Sequence, residues 1–307
     1  MVKFRDSEMP DAATRGAAGA TDAGRPEHRD RAIGDLIAES RNLNADQVEK
    51  ILTYQRSQGV RFGEAAVALG YASSEDVLSA LAQQFHYPYA TEERRNSSPE
   101  LVTLNQPFSE RAEAFRAIRS QLMMRVFTDA SPRPALAVIS PETRDGKSYF
   151  AANIAVTLAQ LGGRTLLLDA DMRGPRQHAV FNLPNNAGLS GILSGRTVDR
   201  VVQQVPGIAS LFVLPVGATP PNPLELVERP AFGLLLRELT SKFDHVVVDT
   251  PAACYGTDCM VIASRCGAAL LVAKRNASRV AALQELAAAV GDSGAKLAGV
   301  VMNEFQD

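Results

Sequence analysis

The chain has 307 residues, 46% hydrophobic and 21% charged, the balance of a globular protein with room for one ordinary domain and a smaller one. A formal net charge of -2 gives no whole-chain reason to expect nucleic acid as a partner. Cys254, Cys259 and Cys266 lack CxxC pairing and have only His245 nearby, so they read as reduced thiols rather than disulfides or a zinc site. No apolar run reaches the roughly 20 residues needed to span a bilayer. Reduced thiols fit a cytoplasmic location, and any membrane role is then expected to come through a partner.

Residues 1–29 are rich in Ala, Gly, Asp and Arg and lack an apolar h-region, the composition of a disordered tail and not of a signal peptide. Residues 30–89 contain an internal repeat with an offset of 29 residues: Gly34 aligns with Gly63, Asp46 with Glu75, Val48 with Val77, Leu52 with Leu81 and Gln55 with Gln84. Asn44 with Gln47, and Ser73 with Asp76, stand where an N-cap and its reciprocal N3 partner belong. Val48, Ile51, Leu52 and Gln55 then follow helical spacing. Two such units can bury their apolar faces against each other, which predicts a small all-α module, in its plainest reading a docking or dimerisation element. Residues 90–107 are polar with Pro and few apolar positions, and are expected to be a linker.

From residue 108 to 307, strand-like apolar runs alternate with helical patterns. The expected strands are 135–140, 165–169, 211–215, 245–249, 269–272 and 299–302. Near-continuous apolar runs separated by helices predict an α/β fold, a parallel sheet with helices on both faces.

The first of these strands runs into Pro141-Glu142-Thr143-Arg144-Asp145-Gly146-Lys147-Ser148, the Gly-Lys-Ser end of a P-loop, with Tyr149 opening the next helix. Backbone N–H groups at such a loop and helix start point at phosphate oxygens. Lys147 supplies a point charge and the Ser148 hydroxyl a Mg²⁺ ligand. The first glycine of the usual loop is Pro141, and Gly146 alone remains to take positive φ. "LLLDADMR" then places Asp169 and Asp171 at the carboxyl end of one strand, and "VVVDTPA" ends another with Asp249. Strand C-termini converge on the ligand crevice of an open α/β sheet, so three carboxylates there predict a Mg²⁺ site, where a single one would read as a helix cap. Ahead of the loop, "EAFRAIRSQL" spaces Glu113, Arg116 and Arg119 by three, a charged stripe on one helix face, with Phe115, Ile118 and Leu122 on another.

The order P-loop, "LLLDADMR", "VVVDTPA" resembles the bacterial tyrosine kinases of the MinD-like P-loop class. The resemblance runs from about Phe108 to Phe305 and includes "GLSGILSGR", "LFVLPVGATPPNPLELV" and "GVVMNEF". It implies an ATP- and Mg²⁺-dependent protein-tyrosine (auto)kinase. Arg144, Asp145, Gly146, Lys147, Ser148 and Tyr149 would form the nucleotide loop, and Asn303 would contact adenine. Ser148, Asp169 and Asp249 would serve the metal, and Asp171 would be the base for a tyrosine hydroxyl. Glu113, Arg116 and Arg119 would join subunits of a homo-oligomer. Many members carry a C-terminal tyrosine cluster; here the last tyrosine is Tyr255, and Tyr87 and Tyr89 are fallback acceptors.

The repeat module is similar to the N-terminal domain of type II secretion and pilus assembly ATPases, one form of which binds cyclic di-GMP. Arg31 and Arg61 match the arginines that open its repeats, while Ser40 stands where glycine is usual. Together the two parts look like the exopolysaccharide-associated tyrosine kinases. That implies regulation of polysaccharide polymerisation, export and chain length through the cytoplasmic segment of a membrane copolymerase, the chain-length determinant. Two rival readings are a nucleotide-gated scaffold without catalysis and a MinD/ParA-like ATPase. The latter needs a signature lysine where this chain has Glu142, a carboxylate facing phosphates.

Overall fold

The computed structural model describes residues 33–84, 98–128, 133–196 and 201–304. The expected tail, Arg31, Tyr87 and Tyr89 lie outside the described residues. The chain divides into two compact units, with the division between Thr91 and Glu92.

In the smaller unit the repeat becomes two helix–turn–helix copies: α1 (Ile33–Ser40) with α2 (Ala45–Gln58), and α3 (Phe62–Ala68) with α4 (Ser74–Gln84). Asn44 and Gln47 form a reciprocal capping box at the start of α2. Asp76 does the same for α4, accepting from the Ser73 backbone N–H at 2.7 Å while Ser73 Oγ accepts from the Asp76 N–H. Each cap satisfies donors that the first helical turn leaves open. Arg41 reaches across to the Asp76 carboxylate at 2.6 Å. Ile37, Ile51, Ala65 and Ala66 are fully buried between the copies. Gly63 allows the close approach of α3 to α4, since a Cβ there would stand 2.6 Å from Val77 Cγ1.

The larger unit begins with α5 (Val102–Asn105) and α6 (Glu110–Arg125). Next come β1 (Ala135–Ile139), α7 (Lys147–Ala159), β2 (Thr165–Asp169), α8 (Gln177–Val180) and α9 (Leu189–Leu193). The chain continues through β3 (Gln203–Gln204), β4 (Leu211–Leu214), α10 (Pro223–Glu228), α11 (Pro230–Lys242) and β5 (His245–Asp249). It closes with α12 (Asp258–Cys266), β6 (Gly267–Lys274), α13 (Val280–Asp292) and β7 (Lys296–Asn303). Among the described residues the sheet order is β3-β4-β2-β5-β1-β6-β7. Every pairing is parallel except that of the short β3 with β4. All six expected strands form, and β1, β2 and β5 are buried along their whole length, which is why their sequences show no alternation. The chain leaves β1 toward β2 on one side, and the later β6 lies on the other. The carboxyl end of β1 is thus the switch point where an open α/β sheet binds ligands.

Residues 98–107 are not a free linker. Leu101, Val102, Thr103 and Leu104 are buried and α5 is pinned to α7 through the fully buried Asn153. The Thr103 N–H and hydroxyl donate to Asn153 Oδ1 at 3.1 and 2.9 Å. Asn153 Nδ2 donates to the carbonyls of Glu100 and Tyr149, each at 2.9 Å. The polar composition of 90–107 hid this because the anchoring amide lies 50 residues downstream in α7. Buried polar groups left without partners are costly. Replacing Asn153 by Ala therefore orphans several at once and is expected to lower unfolding free energy by about 2–3 kcal/mol, read from chemical denaturation; a change under about 0.5 kcal/mol would contradict this anchoring.

Candidate active site

The phosphate loop joins β1 to α7 and keeps its shape through side chains, since it has one glycine. Ser140 Oγ donates to the Glu142 carbonyl at 2.7 Å. The buried Asp145 carboxylate accepts from the Glu142 N–H at 3.0 Å and from Ser278 Oγ at 3.0 Å. Ser278 in turn holds the end of β6 by accepting from the Lys274 N–H. Gly146 takes φ +102°, and a Cβ there would collide with the Asn303 amide, whose Nδ2 donates to the Asp145 carbonyl at 3.0 Å. Arg144 adopts φ +63°, the left-handed conformation that costs a non-glycine residue about 1–2 kcal/mol. This is the physical reason a glycine is the easier choice there.

Several expected contacts therefore take a specific form. Asp145 turns inward and braces the loop with its side chain. Asn303 lies against the loop at Gly146. Tyr149 packs its ring edge-on against Phe115 at 5.9 Å and burial pushes its hydroxyl pKa up. Lys147, at the first position of α7, is only 6% exposed. Glu142, the residue in place of a signature lysine, faces Arg279 at 3.6 Å across exposed surface, a weak pairing.

Asp169 and Asp249 are register partners on β2 and β5, and both are fully buried. Asp169 Oδ1 accepts from the Asp171 N–H at 3.2 Å, and its Oδ2 from the N–H groups of Arg176 and Gln177 at 3.1 and 3.0 Å. Asp249 Oδ2 accepts from Gln177 Nε2 at 2.7 Å. Asp249 Oδ1 is buried and receives no hydrogen bond of standard geometry from the described residues. Burial, and then the charge of Asp249, raise the Asp169 pKa well above the usual carboxylate range. Burial pushes Asp249 up to about 6 against the opposing pull of Gln177, Lys147 and Ser148. Two desolvated acids side by side, one with an oxygen that no described residue bonds, suit a hard dication with oxygen ligands. Ser148, Asp169 and Asp249 are the residues that could hold it.

Asp171 sits at the rim, 8% exposed. Its Oδ1 accepts from the N–H groups of Arg173 and Gly174, a turn that fixes the carboxyl in place. The structure thus brings Lys147, Ser148, Asp169, Asp171 and Asp249 to one end of the sheet. It seats the charged stripe of α6 on its own unit: Arg116 pairs with Glu113 at 2.6 Å and donates to the Pro107 carbonyl, and Arg119 donates to the Thr157 carbonyl at 3.0 Å. Sequence reasoning missed Gln177, which touches both buried acids, and Arg173, which grips the buried Asp258 through two bonds at 3.2 and 3.1 Å. Neither belongs to a spacing pattern; the "MR" after "DAD" was the only hint of the second.

No family model matches the chain. The Staphylococcus aureus protein CapB, named as a tyrosine-protein kinase, is 36% identical over 216 residues, 69% of this chain and 92% of CapB. The chain belongs to the bacterial tyrosine-protein kinases. The kinase domain of Escherichia coli tyrosine kinase ETK superposes with a TM-score of 0.64 at 27% identity, over 70% of this chain and 84% of that domain. The tyrosine-protein kinase ptk of Acinetobacter johnsonii is 34% identical over 63% of this chain, but the match spans only 26% of that longer relative. These matches cover between 63% and 70% of this chain.

The buried acids make a prediction about the metal-free protein. Asp249 holds a proton in the folded state up to about pH 6, whereas the unfolded chain releases it near pH 3.9. The folded form binds more protons in that window, so this group's contribution to stability falls as pH rises through it. Compared with the native protein, Asp249→Asn should gain up to about 3 kcal/mol of stability between pH 4 and pH 7 without metal. Paired urea titrations across that range check it, and parallel pH profiles would contradict it.

Proposed function

We propose that this kinase transfers the terminal phosphoryl group of Mg-ATP to protein tyrosine hydroxyls. What supports the reading is one arrangement: Lys147 and Ser148 at the start of α7 share the end of the sheet with the buried Asp169–Asp249 pair, whose Asp249 Oδ1 has no hydrogen-bond partner among the described residues. Magnesium held there would supply positive charge to offset that of the phosphate oxygens. The backbone N–H groups at the start of α7 and the Lys147 ammonium orient the phosphates. Ser148 and Asp249 would hold the metal, with Asp169 beside Asp249 on the neighbouring strand. Asp171, the most accessible of the three acids, takes the proton of the incoming tyrosine hydroxyl, whose ordinary pKa near 10 keeps it protonated at neutral pH. Most of the acceleration comes from alignment and charge neutralisation, because phosphoryl transfer leaves the protein little covalent chemistry to do.

The wider role follows from the resemblance in sequence. The kinase acts in exopolysaccharide assembly, with the cytoplasmic segment of a membrane chain-length determinant as partner, and Glu113, Arg116 and Arg119 join copies of the chain. The helical module, with a core of its own, is a docking or dimerisation element. No described helix is long and apolar enough to cross a membrane, so attachment through a partner is the expected route for this part of the chain.

The reading is tested by incubating the protein and that partner segment with Mg-ATP and measuring phosphotyrosine. Lys147→Ala should abolish the signal, and Asp171→Asn should lower it roughly 100-fold or more while nucleotide affinity stays near native. ATP turnover that needs Lys147 but yields no phosphotyrosine would assign the chain to a nucleotide-gated scaffold instead. Failure to bind any nucleotide would exclude both.

A further inference from the structure

Gln177, the first residue of α8, is fully buried and joins the three segments that build the site. Its backbone N–H donates to Asp169 Oδ2 at 3.0 Å. Its side-chain Nε2 donates to Asp249 Oδ2 at 2.7 Å and to the Ser148 carbonyl at 3.1 Å. Both neighbours of Nε2 are acceptors, so the amide can be oriented only one way round. Its Oε1 is buried without a hydrogen-bond partner among the described residues, as is Asp249 Oδ1.

A residue kept only as a structural bridge would have both ends of its amide satisfied, because an orphaned buried acceptor costs about 1–3 kcal/mol. Here two orphaned acceptors belong to the same bonded pair, at the point where the P-loop helix, β2 and β5 converge. A water bound to a dication is a strong donor with no acceptor role to offer, and such acceptors suit it. Gln177 also determines which oxygen of Asp249 is left without a hydrogen bond, because it occupies Oδ2.

We propose that Gln177 is the positioning residue of the divalent-cation site: it fixes Asp169 through its backbone and Asp249 through its side chain, and offers Oε1 to a metal-bound water. This rests on the Mg-nucleotide reading above, and it adds a residue outside the motifs from which that reading was built. Removing a residue that orients metal ligands weakens metal binding by about 10- to 100-fold, because the carboxylate loses its preset direction. The nucleotide's contacts with Lys147 and the loop N–H groups do not involve Gln177, so affinity for metal-free nucleotide should hardly move.

The test titrates Mg²⁺ into protein with a fluorescent ADP analogue and reads nucleotide affinity against metal concentration, for the native chain, Gln177→Ala and Gln177→Met. Methionine keeps the length and bulk and removes both polar atoms, so it carries the experiment if the alanine variant fails to fold. Melting without metal shows that the variant is folded. The expected result is a Mg²⁺ midpoint raised about 10- to 100-fold in Gln177→Met, with nucleotide affinity in chelator unchanged. A midpoint within twofold of native would overturn the assignment of Gln177 and leave the kinase reading standing. A native protein whose nucleotide affinity ignores Mg²⁺ would overturn the metal site itself, and this inference with it.

Discussion

Strands β2 and β5 run side by side in register, so the chain buries Asp169 and Asp249 next to each other with no cationic side chain among the described residues bonded to either. Like charges in a desolvated site repel and raise each other's pKa, and burying them costs stability that the surrounding strands and helices must offset. The rest of the larger unit is arranged around that cost. Backbone N–H groups of Asp171, Arg176 and Gln177 converge on Asp169, and Lys147 stands near Asp249. The remaining deficit is what a divalent cation would supply under the proposed kinase reading.

The phosphate loop meets a second constraint with one glycine. A loop whose N–H groups all turn toward one anion needs unusual backbone angles, which glycine adopts without strain. Here Arg144 takes such an angle at a cost, and the buried Asp145 carboxylate, tied to Ser278 and the Glu142 N–H, holds the shape. Asn303 closes the far side of Gly146. The loop is therefore braced by residues from the ends of β6 and β7, and its geometry is coupled to that edge of the sheet.

Much of this was legible in the residues. All six strands could be read from apolar runs because parallel strands covered on both faces need no alternation, and the repeat of the small unit could be read because each copy carries its own N-cap chemistry. The P-loop and the three acids announced themselves through local spacing. What could not be read depends on residues far apart in the chain. Residues 98–105 look like linker until Asn153 is seen to receive them, and Gln177 looks ordinary until β5 brings Asp249 to its amide. The short β3 has no signature either, because two residues beside β4 are too few to set a pattern. The spacing of Arg116 and Arg119 marks one helix face, but not the Pro107 and Thr157 carbonyls that these long side chains reach within their own unit.

The central claim is that the buried acids and Ser148 form one cation site at the nucleotide phosphates. A high-resolution crystal structure of the protein with Mg-ADP tests it most directly. The account predicts a cation bound to Ser148 Oγ and to the nucleotide, with Asp249 Oδ1 facing it directly or through a water that also reaches Gln177 Oε1. Nucleotide bound with its phosphates away from Lys147, or a cation held apart from Asp249, would contradict it.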